Sequence, residues 1–184
     1  MKTRFVFLMS LALIGSTVAH AAKPIASKPA LPAGGFDKLT AGVVEINGFR
    51  WKLALDRSDK DGRVQQYVLE KQSLETSTAL VTLETFYGVP QDPQSLWKGL
   101  EQTKAALLRH CPSLKFKETA RSAKDIAYEW ETGGCAGIEA QSEVGYVVQG
   151  ADGLHVMHYM VKRTGLSEAE KQPWRAWLKS ANKV

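Results

Sequence analysis

The chain is predicted to be an α+β domain: an antiparallel sheet of about seven strands, two main helices packed on it, and one disulfide. Three observations carry this. Asn47-Gly48 separates two stretches of alternating polarity, the strongest short hairpin signal, since both positions tolerate positive φ. One amphipathic helix is written into Gln94–Cys111. The two cysteines, Cys111 and Cys135, lie at the end of that helix and after a later strand, and in an exported chain two cysteines most simply pair.

The N-terminus predicts export. Lys2 and Arg4 precede an apolar run from Phe5 to Ile14, and Ala19-His20-Ala21 forms a small-residue cleavage site. These are the parts of a secretory signal peptide over residues 1–21, and the apolar run is too short for a spanning helix. No cysteine follows the cleavage site to take a lipid. Residues 22–35, with three prolines and no apolar run, read as a flexible leader. Residues 36–184 then form a single domain, and the location expected is the periplasm. Cleavage removes Lys2 and Arg4 and lowers the formal charge from +5 to +3. With no basic block interleaved with aromatics, nucleic acid is not an expected partner, and no second hydrophobic segment predicts a membrane span.

The elements follow in order. Val43–Ile46 pairs with Phe49–Asp56, where Phe49, Trp51, Leu53 and Leu55 alternate with polar neighbours. The turn Arg57–Gly62 contains Asp59-Lys60-Asp61-Gly62, but Arg57 and Val68 stand where a calcium loop needs acids. Strands are expected over Arg63–Lys71 and Leu80–Tyr87. Asp92 caps the helix, Pro93 occupies its first position, and Leu96, Leu100, Thr103, Leu107 and Cys111 form its packing stripe. Gly99 inside the helix is expected to mark a close crossing over the sheet, and Pro112 ends the helix. Leu114 and Phe116 alternate with Lys115, Lys117 and Glu118. Ile126, Tyr128 and Trp130 alternate with Glu129 and Glu131. A long strand over Ile138–Gln149 and a return over Leu154–Arg163 flank a turn at Gly150–Gly153. Ser167 and Glu170 form a capping box for a last helix, with Trp174, Trp177, Leu178 and Ala181 as its stripe and a kink or restart expected at Pro173. Both helices are expected on one face of the sheet.

Strands, helix, strands, helix: with the Asn47-Gly48 hairpin, the Leu96–Cys111 helix, the strands ending at Arg163 and the Ser167–Ala181 helix, the arrangement resembles the PsbP-like fold of small secreted or lumenal α+β domains. The resemblance is topological, covers residues 36–184, and implies an accessory or binding protein rather than an enzyme.

No catalytic spacing stands out. His110 and Cys111 are adjacent on a helix and point about 100° apart, so a thiol–imidazole pair is disfavoured against a disulfide. His155 and His158 fall on opposite faces of a strand and cannot share a metal. No zinc spacing, nucleophile elbow or phosphate-binding glycine loop occurs. No catalytic residue, metal or cofactor is therefore expected. One constellation is singled out as a binding face: Glu129, Glu131, Gln141 and Glu143 side by side, with His158 and Lys162 on the same outward face. It suits a cation or a basic partner, or serves only as a solvated sheet surface. The function expected is an exported binding or accessory protein that recognises another secreted or envelope protein, in a narrower version an immunity-type inhibitor of an exported toxin. The alternatives are a small hydrolase of envelope polymers using Glu129, Glu131 and Glu143, which needs two carboxyls in one cleft, and a carrier with an apolar cavity between sheet and helices.

Overall fold

The computed structural model describes residues 43–135 and 137–181; the expected signal peptide, leader and first residues of the domain lie outside them. Eight strands form one antiparallel sheet: β1 (Val43–Ile46), β2 (Phe49–Ser58), β3 (Gly62–Leu69), β4 (Ala79–Tyr87), β5 (Lys115–Arg121), β6 (Asp125–Thr132), β7 (Gln141–Gln149) and β8 (Gly153–Val161). Their spatial order is β1-β2-β3-β4-β8-β7-β6-β5. Two meanders of four strands thus meet at the β4–β8 pair. Helix α1 (Pro93–His110) links the meanders and α2 (Glu168–Ala181) follows the second.

Local chemistry explains the boundaries. Asn47 (φ 50°) and Gly48 (φ 77°) make the left-handed turn between β1 and β2. The Asp92 carboxylate accepts from the Ser95 N–H at 2.8 Å and from its hydroxyl at 2.6 Å, satisfying the start of α1. Leu96, Gly99, Leu100, Thr103 and Leu107 are the buried residues of α1, so the predicted stripe is present, Thr103 included, and Gly99 is buried beside it. Glu170 accepts from the Ser167 N–H at 2.9 Å, and Ser167 Oγ accepts from the Glu170 N–H at 3.3 Å. This is the expected capping box. No break occurs at Pro173, which lies inside a continuous α2. The burial of Trp174 and Leu178 at 4% and 0% exposure outweighs the one backbone bond that the proline forgoes.

The helices cover opposite faces, which corrects the expectation of one covered face. Val147 packs in the cluster of Leu96, Leu100 and Leu107, whereas Val148 packs in the cluster of Trp174 and Leu178. Consecutive strand residues point to opposite sides, so the molecule is a helix–sheet–helix sandwich. The α2 side holds Trp51, Tyr159 and Trp174, with Tyr159 and Trp174 stacked at 3.7 Å. The α1 side holds Ile126, Tyr128 and Trp130.

Cys111 and Cys135 are bonded, with Cα atoms 5.5 Å apart. The bond ties the end of α1 to the loop after β6, across a sequence separation of 24. The chain-entropy argument assigns such a loop about 3 kcal/mol. Replacing both cysteines by serine is expected to lower the thermal midpoint by roughly 10 °C; calorimetry of the oxidised chain and the variant checks this, and an unchanged midpoint would remove the staple from the account.

Candidate functional site

The six residues of the predicted binding face do not share a face. In the β6–β7 register Glu129 pairs with Val144 and Glu131 with Ser142, while Glu143 pairs with Trp130. Glu129 and Glu131 therefore point to the α2 side. Glu143 and Gln141 point to the α1 side, as does His158, which is aligned with Gly145 across β7–β8. Lys162, just past β8, has its ammonium 3.8 Å from Glu139. The physical reason is one of register: residues 138–140 do not extend β7. Cys135 and Ile138 instead bond to each other in a tight loop, and β7 begins at Gln141. The outcome is two separate polar constellations.

On the α2 side, β5 and β6 form a ladder of opposite charges in which Lys115 stands across from Glu131 and Lys117 across from Glu129. Helix α2 lays Lys171 and Arg175 over it. Glu129 is 5% exposed and is clamped by both: Lys171 Nζ at 2.9 Å, and the Arg175 guanidinium, whose Nε lies at 2.6 Å. Arg175 also holds Glu168 at 2.7 Å. The Lys115 ammonium donates to Glu131 at 3.1 Å and holds that carboxyl below its usual pKa. A pocket of about 200 Å³ opens here, lined by Lys115, Lys117, Glu129, Glu131, Ser142 and Lys171 among others. Ser142 Oγ is committed to the Arg163 carbonyl at 2.9 Å. Lys117 alone among these cations has no ion pair within the described residues. The site therefore offers one uncommitted positive charge in a rim whose carboxylates are occupied. That arrangement suits binding of an anion better than proton transfer.

On the α1 side, Glu143 is 4% exposed and accepts from the Tyr128 hydroxyl and from His158 Nδ1, each at 3.0 Å. Tyr128 reaches it by lying over Gly145, where a Cβ would overlap the phenol ring. Burial alone would lower the His158 pKa. The charge and hydrogen bond of Glu143, with the charge of Glu84, overcome that and raise it to about 8. Burial and the Glu143 charge together push the Tyr128 hydroxyl well above its ordinary value. The group is a buried, charge-assisted cross-strand lock, in which His158 Nε2 has no hydrogen-bond partner among the described residues.

A third arrangement was not foreseen. His155 Nε2 is 2.8 Å from Asp152 and its Nδ1 is 3.1 Å from Thr85 Oγ1, an order of groups like that of a hydrolytic triad. Gly150 lies so close to Nε2 that a Cβ there would collide with the ring. The β7–β8 turn thus covers the imidazole, and the three groups latch that turn to β4. Sequence reasoning also passed over Lys115, Lys117, Lys171 and Arg175. Their signals were present: alternating lysines about Phe116, and an i, i+4 cation pair one position from the Trp174–Leu178 stripe. Among the described residues no group of three or more His, Cys, Asp or Glu side chains is arranged to hold a metal. No described helix is long and apolar enough to cross a membrane.

Two outcomes follow from these contacts. Replacing Lys171 and Arg175 together by alanine leaves Glu129 buried without its cations and is expected to destabilise the fold by about 3 kcal/mol. Lys117→Ala is expected to change stability by less than about 0.5 kcal/mol. Denaturant titration of both variants checks the contrast. His158 has a folded pKa near 8, above the unfolded value of about 6.5. Its contribution is therefore complete below pH 6.5 and is lost as the pH rises through 8. Unfolding midpoints should fall across that window, and His158→Gln should remove the step; a midpoint flat from pH 6 to 9 would contradict the lock.

No protein-family model, curated protein or solved structure matches this chain, so the reading of its role rests on its own residues.

Proposed function

We propose that this chain is an exported, non-catalytic accessory protein that recognises another secreted or envelope protein through the rim where β5 meets α2. The observation that carries the reading is the pocket at that rim, where Lys117, on the terminal strand of the sheet, has no ion pair among the described residues. Binding energy is available there at little folding cost, because the neighbouring charges are already paired. The disulfide supports a destination outside the reducing cytoplasm, in line with the signal peptide expected over residues 1–21. A PsbP-like accessory role agrees with this reading, and the toxin-inhibitor version differs from it only in the identity of the partner.

The envelope-polymer hydrolase draws no support from the geometry. Its three carboxylates divide between two faces, with Glu129 clamped by cations and Glu143 locked to Tyr128 and His158. The carrier reading lacks a favouring observation as well, since the pocket at the rim is lined largely by charged side chains.

The test is site-specific photo-cross-linking in the producing cells. A photoreactive residue at position 120, exposed on β5 with Lys117 left in place, is expected to capture one discrete protein species, and the same residue at position 45, on the far edge strand, is expected to capture none. Absence of a discrete adduct at position 120 across growth conditions, or equal capture at both positions, would overturn the proposal.

A further inference from the structure

The chemistry of the partner can be read from the edge itself. Resting on the reading above, we infer that the partner contributes an extended segment that adds to β5 as a ninth strand, with acidic side chains at alternate positions and an apolar residue between them. β5 ends the sheet order, so every second N–H and C=O along it points away from β6 and has no strand partner among the described residues. Its first four residues, Lys115–Glu118, pair with β6 in unbroken register; the irregularity comes only between Glu118 and Ala120. Those four residues offer a straight edge.

The side chains on that edge specify a pattern. Lys115 and Lys117 point to the α2 side, and Phe116 between them points to the α1 side. A carboxylate on an added strand beside Lys117 meets a cation with no competing ion pair, because Glu129 across from it is taken by Lys171 and Arg175. A second carboxylate two residues away shares Lys115 with Glu131, an interaction the exposed ammonium is free to rearrange. The residue between the two acids falls beside Phe116, a half-buried ring stacked on Tyr128 at 5.5 Å and covered on one side by the Lys104 ammonium at 5.7 Å. An aliphatic side chain extends that cluster. The edge is held rigid before binding: the Leu114 N–H donates to the Cys111 carbonyl at 3.0 Å, and Cys111 is fixed by the disulfide. Preorganisation of this kind lowers the entropic cost of docking. Edge lysines also act as guards against unwanted strand pairing, and a guard predicts no peptide binding at all.

The experiment uses the oxidised full chain and short capped peptides with a Glu-Val-Glu centre, read by calorimetry or fluorescence anisotropy. The acidic peptide is expected to bind, and to bind less tightly as salt is raised. Lys117→Glu should weaken it roughly fivefold or more and should gain affinity for the charge-swapped Lys-Val-Lys peptide. Because the Lys117 side chain is exposed, an unchanged thermal midpoint certifies that the variant is folded. Methylating the peptide nitrogens that face β5 should weaken binding roughly tenfold by removing strand hydrogen bonds. No binding of the acidic peptide, equal binding of both charge patterns, or indifference to nitrogen methylation would overturn the strand-addition proposal. If, in the chain labelled at position 120, Lys117→Glu abolishes the cross-linked cellular adduct while no acidic peptide binds, the rim remains the recognition site and only the inferred chemistry of the partner falls.

Discussion

The structure depends on a sheet that is buried on both faces. β4, β7 and β8 carry apolar side chains on each side, and the two helices are the covers. Once both faces are occupied, a buried charge on them needs partners inside the protein, since water is excluded and an orphaned charge costs several kcal/mol. Glu129 and Glu143, fourteen positions apart in sequence and on opposite sides of neighbouring strands, meet this demand differently. One takes two cations from α2; the other takes a phenol and an imidazole from β6 and β8.

That constraint also decides where recognition is possible. Faces that are filled by helices have little left to offer a partner, and an antiparallel sheet of this kind keeps its edges as open hydrogen-bonding groups. Of the two outer strands, β5 stands beside a pocket and begins four residues after a disulfide-bound half-cystine. Lys117, which has no ion pair among the described residues, is on the same strand.

Much of the fold was legible in the residues. Asn47-Gly48, Asp92-Pro93, the Ser167–Glu170 box and the cysteine pair each act locally, and a local signal survives whatever the rest of the chain does. The side of the sheet that a given carboxylate faces was not legible. Alternation fixes which residues of one strand agree with each other, but agreement between strands rests on register, and a one-residue slip reverses every side chain. Here the register of β7 against β6 follows from the Cys135–Ile138 loop, whose glycines and paired backbone shorten the expected strand. In β7, moreover, Val144, Tyr146, Val147 and Val148 are apolar on both sides, so polarity did not mark an inside. The binding face drawn from Glu129, Glu131, Gln141, Glu143, His158 and Lys162 was lost for that reason. Lys115 and Lys117 were visible only as the polar half of an alternating strand.

The sandwich itself is most directly tested by methyl nuclear Overhauser spectroscopy on Val147 and Val148. With the two faces covered by different helices, Val147 methyls should show contacts to the leucines of α1 and none to the Trp174 ring, while Val148 methyls should lie among the α2 cluster and show none to α1. Contacts from both valines to the same helix would place that helix over a misassigned face, and the argument that only the edges remain for recognition would fail with it.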